Sequence, residues 1–272
     1  MSAVHLAAPQ RWTSDQPVTQ LTLDLYNADV TVVGTDGPAR LEVTRIGQRP
    51  VDLTHHDGIL RLHQPKPGFL GRAPQRDRVE LSIAVPRSVV CNLSVAVGEL
   101  TASGLRDAVT ITVAKGNVSL LGLAGTVRAE TISGEIEALG VAGDTTLQTV
   151  SGPITVGGVT AARLTVKAIS GALTCDLDNP RGGDIDLHTV SGAITVRVRE
   201  DSDLDVNLST VSGGVATDFA GLATSGVTGG PKELRGRLGA GIGRLKADAV
   251  SGAISLLARP LDADEITVGG TR

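Results

Sequence analysis

The chain has 272 residues, of which 41% are hydrophobic and 1% aromatic, and its formal net charge at neutral pH is −4. This length and hydrophobic content allow a substantial core, while the net negative charge argues against a nucleic-acid partner, because nucleic acid is bound through clustered Lys and Arg. Two cysteines are too few for a disulfide framework or a cysteine-based zinc site.

The N-terminus lacks a basic segment followed by a sustained apolar one, and no later window approaches the length of a membrane span. We therefore expect a cytoplasmic location and no integral membrane contact.

Residues 1–90 alternate apolar and polar side chains with a period of two, which is typical of half-buried strands. The dipeptide Asp57-Gly58 favours a hairpin, because both residues tolerate positive φ. This segment is predicted to form a β-rich cap that continues into the following repeats. The predicted strands lie near 21–25, 30–33, 41–46, 51–54, 59–63 and 79–85.

Between the last two of these strands, residues 64–78 hold three prolines, two glycines and an excess of positive charge. The pattern indicates a surface loop. It offers a candidate docking element for an acidic partner, and peripheral contact with a membrane surface also stays open. The alternative is a solvated hairpin loop. The candidate docking residues are Lys66, Phe69, Arg72 and Arg76.

A Ser-Gly repeat dominates residues 91–260. Six copies place successive glycines 18, 19, 21, 21 and 39 residues apart, a period typical of stacked strand coils. The prediction is an all-β, single-stranded β-solenoid (β-helix) of about seven to eight coils. The six copies are Thr131–Gly134, Thr149–Gly152, Ala168–Gly171, Thr189–Gly192, Thr210–Gly213 and Ala249–Gly252.

Counting from each Ser separates the expected core from the expected surface. The columns four residues before, one residue before and three residues after the Ser are apolar throughout and are predicted to face inward. The Gly is predicted to form a corner where a Cβ would clash. Catalysis by the serines is not expected, because no fixed His and Asp accompany them.

The outward columns differ between the two strands of a coil. The strand before the Ser carries charges of both signs, whereas the strand after it is uncharged and small. We expect this second face either to bind another copy or a protein partner, or to be covered by the N-terminal segment or the insertion. The candidate interface residues are Thr155, Ala172, Thr174, Ala193 and Thr195.

Two groups of acidic and histidine residues are candidate metal sites. Asp184, Asp186 and Asp205 would hold calcium if neighbouring coils brought them together, although Arg163 is a simpler partner for the aspartates. His55, His56 and His63 flank the Asp57-Gly58 turn, but adjacent histidines on a strand point to opposite faces.

The doubled step before the last copy predicts a long loop at residues 218–237. The tail, residues 261–272, is expected to add an edge strand or to fray. Cys175 alternates with polar residues, which predicts an inward, small hydrophobic role.

The run Tyr26–Gly37, the tripeptide Val85-Pro-Arg87 and the repeated Thr-Val-Ser-Gly-x-Ile resemble the bacterial β-strand-repeat domains of unknown function labelled "putative adhesin". The resemblance extends from about residue 18 to residue 257. It implies a β-solenoid, often with envelope-stress or regulatory neighbours, and it supplies no catalytic residues.

These observations favour a non-catalytic interaction or scaffold protein without a cofactor. Its expected partner is a protein or a second copy of the chain. The alternative is a carbohydrate-binding or carbohydrate-active β-helix, with a groove formed by the charged face and the insertion.

Overall fold

The computed structural model describes residues 2–65, 78–178, 182–226 and 230–260, and within these ranges it contains strands and no helix. The predicted all-β class is therefore confirmed. The chain forms two compact units, Met1–Thr149 and Val150–Arg272. In each unit the strands fall into two sheets, A and B, and each regular coil contributes one strand to each sheet.

The first unit begins with a cap of antiparallel and parallel strands and continues with regular coils. The strand β14 (Thr145–Ser151) contains the boundary between the units. The preceding strands are β1 (Ser2–Leu6), β2 (Gln10–Thr13), β3 (Gln20–Thr35), β4 (Arg40–Arg45), β5 (Val51–His56), β6 (Ile59–His63), β7 (Val79–Pro86), β8 (Val90–Val97), β9 (Leu100–Ser103), β10 (Val109–Lys115), β11 (Val118–Leu121), β12 (Val127–Ser133) and β13 (Ile136–Leu139).

The coils of the first unit stack in parallel register. In sheet A, β10 lies between β8 and β12, and Ile111 aligns with Leu93 and Ala129. In sheet B, β11 lies between β9 and β13, and Val118 aligns with Leu100 and Ile136. Each step repeats the same alignment of apolar residues, so the β-solenoid prediction is confirmed.

The long strand β3 contributes to both sheets. Its first half pairs with β6 and β8 in sheet A, and its second half pairs with β7 and β9 in sheet B. Asn27 and Ala28 are both buried, which breaks the inside–outside alternation where the strand changes sheet. Two separate strands, near residues 21–25 and 30–33, were expected here, and the corner is instead made without ending the strand.

The cap covers the edge of both sheets with antiparallel strands. In sheet A, β5 pairs with β6 and β1 pairs with β5. In sheet B, β4 pairs with β7 and β2 pairs with β4. The coil formed by β6 and β7 is thus protected from edge-to-edge pairing with other chains.

The second unit contains the remaining strands and a change in the order of the coils. Its strands are β15 (Ile154–Val159), β16 (Arg163–Ser170), β17 (Leu173–Leu177), β18 (Asp184–Ser191), β19 (Ile194–Arg199), β20 (Leu204–Ser212), β21 (Val215–Thr217), β22 (Ala223–Gly226), β23 (Lys232–Leu238), β24 (Gly243–Ser251) and β25 (Ile254–Arg259).

The last coil in sequence is not the last coil in space. The strand β24 lies in sheet A between β18 and β20 and is parallel to both, and β25 lies in sheet B between β19 and β21. After β19, the chain therefore forms β20 and β21 one layer further along the stack. The later strands β24 and β25 then form the layer between them and the coil of β18 and β19.

The predicted loop at residues 218–237 is wrong over much of its length. β23 pairs antiparallel with β20, and β22 pairs antiparallel with β23, so this segment closes the open edge of sheet A. The buried side chains of Leu222, Leu234 and Leu238 attach it to the core. Its many glycines concealed the strand pattern.

The core consists of stacked aliphatic columns. The predicted columns four residues before and three residues after the Ser are buried, as Leu187 and Ile194 illustrate with 0% exposure each, except that Val215 is half-buried. The column directly before the Ser was also predicted to face inward, and this is wrong. Those residues are 39–58% exposed, and they are Ile132, Val150, Ile169, Val190, Val211 and Val250.

The alternation of side chains along a strand explains why the column directly before the Ser faces outward. Positions four and two before the Ser share one face, so the position directly before it lies on the other. The residue two before the Ser is accordingly buried, either as Ala or as Thr. Thr189 Oγ1 donates a hydrogen bond to Gly171 O at 3.3 Å, and Thr210 Oγ1 donates one to Gly252 O at 2.9 Å.

The corner glycines are required by close packing of successive coils. A Cβ on Gly116 would lie 1.8 Å from Gly98 O, and a Cβ on Gly252 would lie 1.8 Å from Gly192 O. Several of these residues also have positive φ, for example +141° at Gly116. The predicted structural role of the Ser-Gly repeat is thereby confirmed.

Candidate interaction surface

The uncharged outer face of sheet B in the second unit is formed by two columns of small side chains. Thr155, Thr174, Thr195 and Ser255 align in register across β15, β17, β19 and β25. The chain places an Ala two residues before Thr174, Thr195 and Ser255, and all three alanines are exposed. We call this surface the neutral wall; it consists of Thr155, Ala172, Thr174, Ala193, Thr195, Ala253 and Ser255.

The neutral wall is uncovered in the part of the chain that the structure describes. Ala172, Thr174 and Ala193 are exposed, while Thr155 and Thr195 are half-buried. The insertion, which was a candidate cover, pairs with β20 in sheet A instead. The five interface candidates on this face therefore come together on one accessible surface.

An apolar stripe borders the neutral wall at the corner of the coils. Its side chains are β-branched and directly precede each corner Ser. The corners stack closely, since the N–H of Gly171 donates to Ser191 O at 3.0 Å and the N–H of Gly192 donates to Ser251 O at 3.1 Å. We call this set the corner stripe; in spatial order it consists of Val150, Ile169, Val190, Val250 and Val211.

An ion-pair row marks the other border of the neutral wall. Asp176 accepts hydrogen bonds from Arg197, whose Nε lies 3.1 Å away, and it lies 3.3 Å from Nη1 of Arg259. The hydrogen bond from Arg197 holds the pKa of the Asp176 carboxyl below its usual range. Arg259 also pairs with Asp178. The uncharged surface is thus limited to the first two outward columns of sheet B.

The candidate calcium ligands are separated by the returning strand. Arg244 on β24 aligns with Asp184 on one side and with Asp205 on the other, and its Nη2 lies 2.7 Å from Asp184 Oδ1. Lys246 aligns with Asp186 in the same way. Cations of the protein itself therefore occupy the place predicted for a calcium ion. Arg163 also aligns with Asp184 across β16 and β18.

The histidines of the first unit each have their own neighbour. His56 Nε2 lies 3.1 Å from Asp57, and His63 Nδ1 lies 3.3 Å from Asp24. His55 Nδ1 lies 3.2 Å from Ser14 Oγ. Among the described residues, no three His, Cys, Asp or Glu side chains are placed to hold a metal ion.

The candidate docking residues Lys66, Phe69, Arg72 and Arg76 lie outside the described residues. Arg78, which ends that segment, donates a hydrogen bond from Nε to Asp29 at 2.5 Å, and this contact raises the Arg78 pKa. Within the ranges described above, no helix is long and apolar enough to cross a membrane.

Both cysteines are buried in the core. Cys175 is 1% exposed and aligns with Val156 and Val196 in sheet B, so its predicted role as a small hydrophobic residue is confirmed. Burial raises the pKa of the Cys175 thiol to about 12, and burial together with the nearby Asp107 carboxylate raises that of Cys91 to about 12. Neither thiol is reactive in the folded state.

The corner stripe was not anticipated from the sequence, although the signal was present. The residue directly before each Ser lies three positions after the buried residue of the same strand. An odd separation along a strand places two side chains on opposite faces. Counting by two along the strand places Val190 outward and Thr189 inward. The apolar character of the stripe made it resemble core.

Comparisons with known proteins agree with this architecture. The family described as Toastrack DUF4097 matches residues 18–257. A solved structure from Bacteroides fragilis, described as a "putative adhesin", is 12% identical with a TM-score of 0.52 and covers 94% of this chain and 97% of its own.

Two further solved structures are also similar to this chain. A "putative cell adhesion protein" from Clostridium sporogenes is 12% identical with a TM-score of 0.30 and covers 93% and 100% of the two chains. A "putative lipid binding protein" from Parabacteroides distasonis is 11% identical with a TM-score of 0.38 and covers 92% and 96%. The search among curated proteins found no match.

Proposed function

The chain belongs to the Toastrack DUF4097 family, and we propose that it is a non-catalytic interaction protein that self-associates through the neutral wall and the corner stripe. The observation that supports this proposal is the uncharged neutral wall on sheet B together with the apolar corner stripe at the adjoining ends of the sheet A strands, where five apolar side chains remain 39–56% exposed. Apolar residues of this size are normally buried, and a contiguous exposed set is typical of an interaction surface.

A second copy of the chain is the occupant that fits the surface best. The wall repeats at the spacing of the coils, about 4.8 Å, so an identical wall has the same repeat and the same small side chains. A two-fold axis would place each wall against the other in an isologous contact. The border row contains both Asp176 and Arg197, so an antiparallel copy presents opposite charges as well as like ones.

The size of the surface predicts a weak dimer. Five coils at about 4.8 Å span roughly 24 Å, and the five residue steps from the corner stripe to the outer column of the neutral wall span at most roughly 17 Å at about 3.3 Å each, which gives at most roughly 400 Å² per copy. A pair of walls would bury about 800 Å², which is below the roughly 1,200–2,000 Å² of stable complexes. The association should therefore depend strongly on concentration.

Light scattering coupled to size exclusion tests this proposal. We expect the apparent mass of the wild type to rise with loading concentration, and the variant Thr174→Lys plus Thr195→Lys to remain monomeric, because buried and unpaired charges oppose association. The matched control is Thr112→Lys plus Thr165→Lys. These threonines lie on sheet A, and their partners Glu130 and Asp186 accommodate the new charges.

Two results would contradict the proposal. One is a wild type that stays monomeric at all accessible concentrations. The other is a wall variant that associates as strongly as the sheet A control. A location in the cytoplasm and a link to envelope-stress systems stay predictions, and the oligomer measurement does not depend on them.

A carbohydrate-binding role remains the second candidate function from the sequence. On the charged face of the second unit, Arg244 aligns between Asp184 and Asp205 and pairs with Asp184. Because a cation of the protein itself lies beside these carboxylates, we rank the interaction role before glycoside chemistry.

A further inference from the structure

A groove on the outer face of sheet A in the first unit is lined by six polar or charged side chains. It has a volume of about 630 Å³, which lies within the usual range for sites of small ligands. The lining comes from three neighbouring strands, since β6 pairs with β3 on one side and with β5 on the other. The lining residues are Thr22, Asp24, Asp52, Thr54, Arg61 and His63.

The first row of the groove, which we call the arginine row, offers hydrogen-bond donors. Arg61 on β6 aligns with Thr22 on β3 and with Thr54 on β5. Arg61 is exposed and has no ion-pair partner among the described residues. Thr22 Oγ1 accepts a hydrogen bond from Gln20 Nε2 at 3.4 Å, so the hydroxyl proton of Thr22 stays available. A guanidinium flanked by two hydroxyls favours an oxyanion, because charge-assisted hydrogen bonds are the stronger kind.

The second row, which we call the carboxylate row, offers hydrogen-bond acceptors. Two residues along β6 from Arg61, His63 aligns with Asp24 on β3 and with Asp52 on β5. His63 Nδ1 lies 3.3 Å from Asp24 Oδ2, and Asp52 Oδ1 contacts His5 Nδ1. Each contact uses one carboxylate oxygen, whereas an ionised carboxylate accepts at about four positions. Both aspartates therefore keep the capacity to accept hydrogen bonds from a ligand.

The two rows together select a ligand that has an oxyanion at one end and hydroxyl groups at the other. A simple anion gains the arginine row but is repelled by the carboxylate row without any compensating contact. A neutral sugar donates to the carboxylate row but brings no charge to Arg61. The rows are two residue steps apart, roughly 7 Å, which suits a pyranose ring that carries a carboxylate or phosphate on one side and free hydroxyls on the other.

We propose that this groove binds a sugar that carries an oxyanion. The oxyanion accepts hydrogen bonds from Arg61, Thr22 and Thr54, and the ring hydroxyls donate to Asp24 and Asp52. A uronic acid and a sugar phosphate share this chemistry. The proposal concerns the first unit and does not rest on self-association through the neutral wall.

Isothermal titration calorimetry of the full chain at constant ionic strength tests this proposal. Methyl glucuronide should bind in a saturable manner. Methyl glucoside has the same ring without the charge, and acetate has the carboxylate without the ring hydroxyls. Both should bind at least about tenfold more weakly than methyl glucuronide, because each lacks the hydrogen bonds to the charged groups of one row.

Two variants identify the residues involved. Arg61→Gln should weaken methyl glucuronide binding about tenfold or more, and Arg61 is exposed, so the fold should tolerate the change. Asp24→Asn should reduce the preference for methyl glucuronide over acetate, because it alters an acceptor that acetate does not use. The matched control is Arg106→Gln, which removes an exposed arginine of the same unit outside the groove and should leave affinity unchanged.

Glucose 6-phosphate distinguishes the two sources of the oxyanion. Tighter binding of glucose 6-phosphate than of methyl glucuronide would assign the groove to sugar phosphates, and the reverse order would assign it to uronic acids. Acetate or methyl glucoside that binds as tightly as methyl glucuronide would overturn the proposal. So would undiminished affinity in Arg61→Gln, or the absence of saturable binding by both charged sugars.

Discussion

Replacing the corner residue Gly116 with alanine tests the packing of the coils. The new Cβ would lie 1.8 Å from Gly98 O and 2.7 Å from Gly98 C, where unstrained contacts begin above 3 Å. The neighbouring backbone would have to move by more than 1 Å within a hydrogen-bonded ladder. The positive φ of +141° adds strain of its own.

The expected loss follows from these two contributions. The left-handed backbone costs about 1–2 kcal/mol for a residue with a Cβ. Displacement weakens the bonds from Gly98 N to Lys115 O and from Gly116 N to Ser133 O, both 2.9 Å long, at about 1 kcal/mol each. Gly116→Ala should therefore lower the free energy of unfolding by about 3–4 kcal/mol.

Two glycines of the same unit provide matched controls. Gly122 has a φ of +58° with no atom within 4 Å of a new Cβ, so Gly122→Ala should cost only the backbone strain, about 1–2 kcal/mol. Gly37→Ala meets open space as well and should be nearly neutral. Urea unfolding followed by far-UV circular dichroism compares the midpoints. Equal losses in Gly116→Ala and Gly122→Ala would refute the close-packing explanation.

Three further predictions concern buried and paired groups. Thr210→Val should cost about 1 kcal/mol in urea unfolding because it removes a hydrogen bond, whereas Thr149→Val should be neutral or stabilising, since Thr149 Oγ1 has no partner among the described residues. The hydrogen bond from Arg197 lowers the pKa of Asp176. The ionised Asp176 therefore stabilises the fold above the usual aspartate pKa, and this stabilisation is lost as pH falls through the lowered pKa. The difference in thermal stability between wild type and Arg197→Gln should shrink on acidification. The two buried thiols, with pKa values of about 12, should react with a thiol reagent at pH 8 only after unfolding.

Much of the fold was predictable because it depends on local periodicity. The corner glycines and the buried columns represented by Leu187 and Ile194 follow from counting along the repeat. The reversed order of the last two coils was not predictable. Strands of similar composition can pair in parallel with the same edge strand. Both β18 and β20 pair with β24 in this way, so composition alone does not decide the order of the coils.

The candidate surface was predicted in part. The aligned threonines of the neutral wall follow from the outward columns, but the corner stripe was assigned to the core on hydrophobicity alone. Asp184 and Asp205 were expected on adjacent coils, and the returning strand places Arg244 between them. Long-range strand insertion decides such contacts, and it leaves no local signal in the sequence.

Distances between spin labels on two copies test self-association most directly. Ala193 lies near the centre of the neutral wall and is exposed, and the native cysteines are buried, so Ala193→Cys can be labelled selectively. Sheets packed face to face lie about 10 Å apart, and we predict an intermolecular label distance of roughly 10–25 Å that disappears with Thr174→Lys plus Thr195→Lys. The absence of any intermolecular dipolar coupling at the highest attainable concentration would contradict the proposed interface.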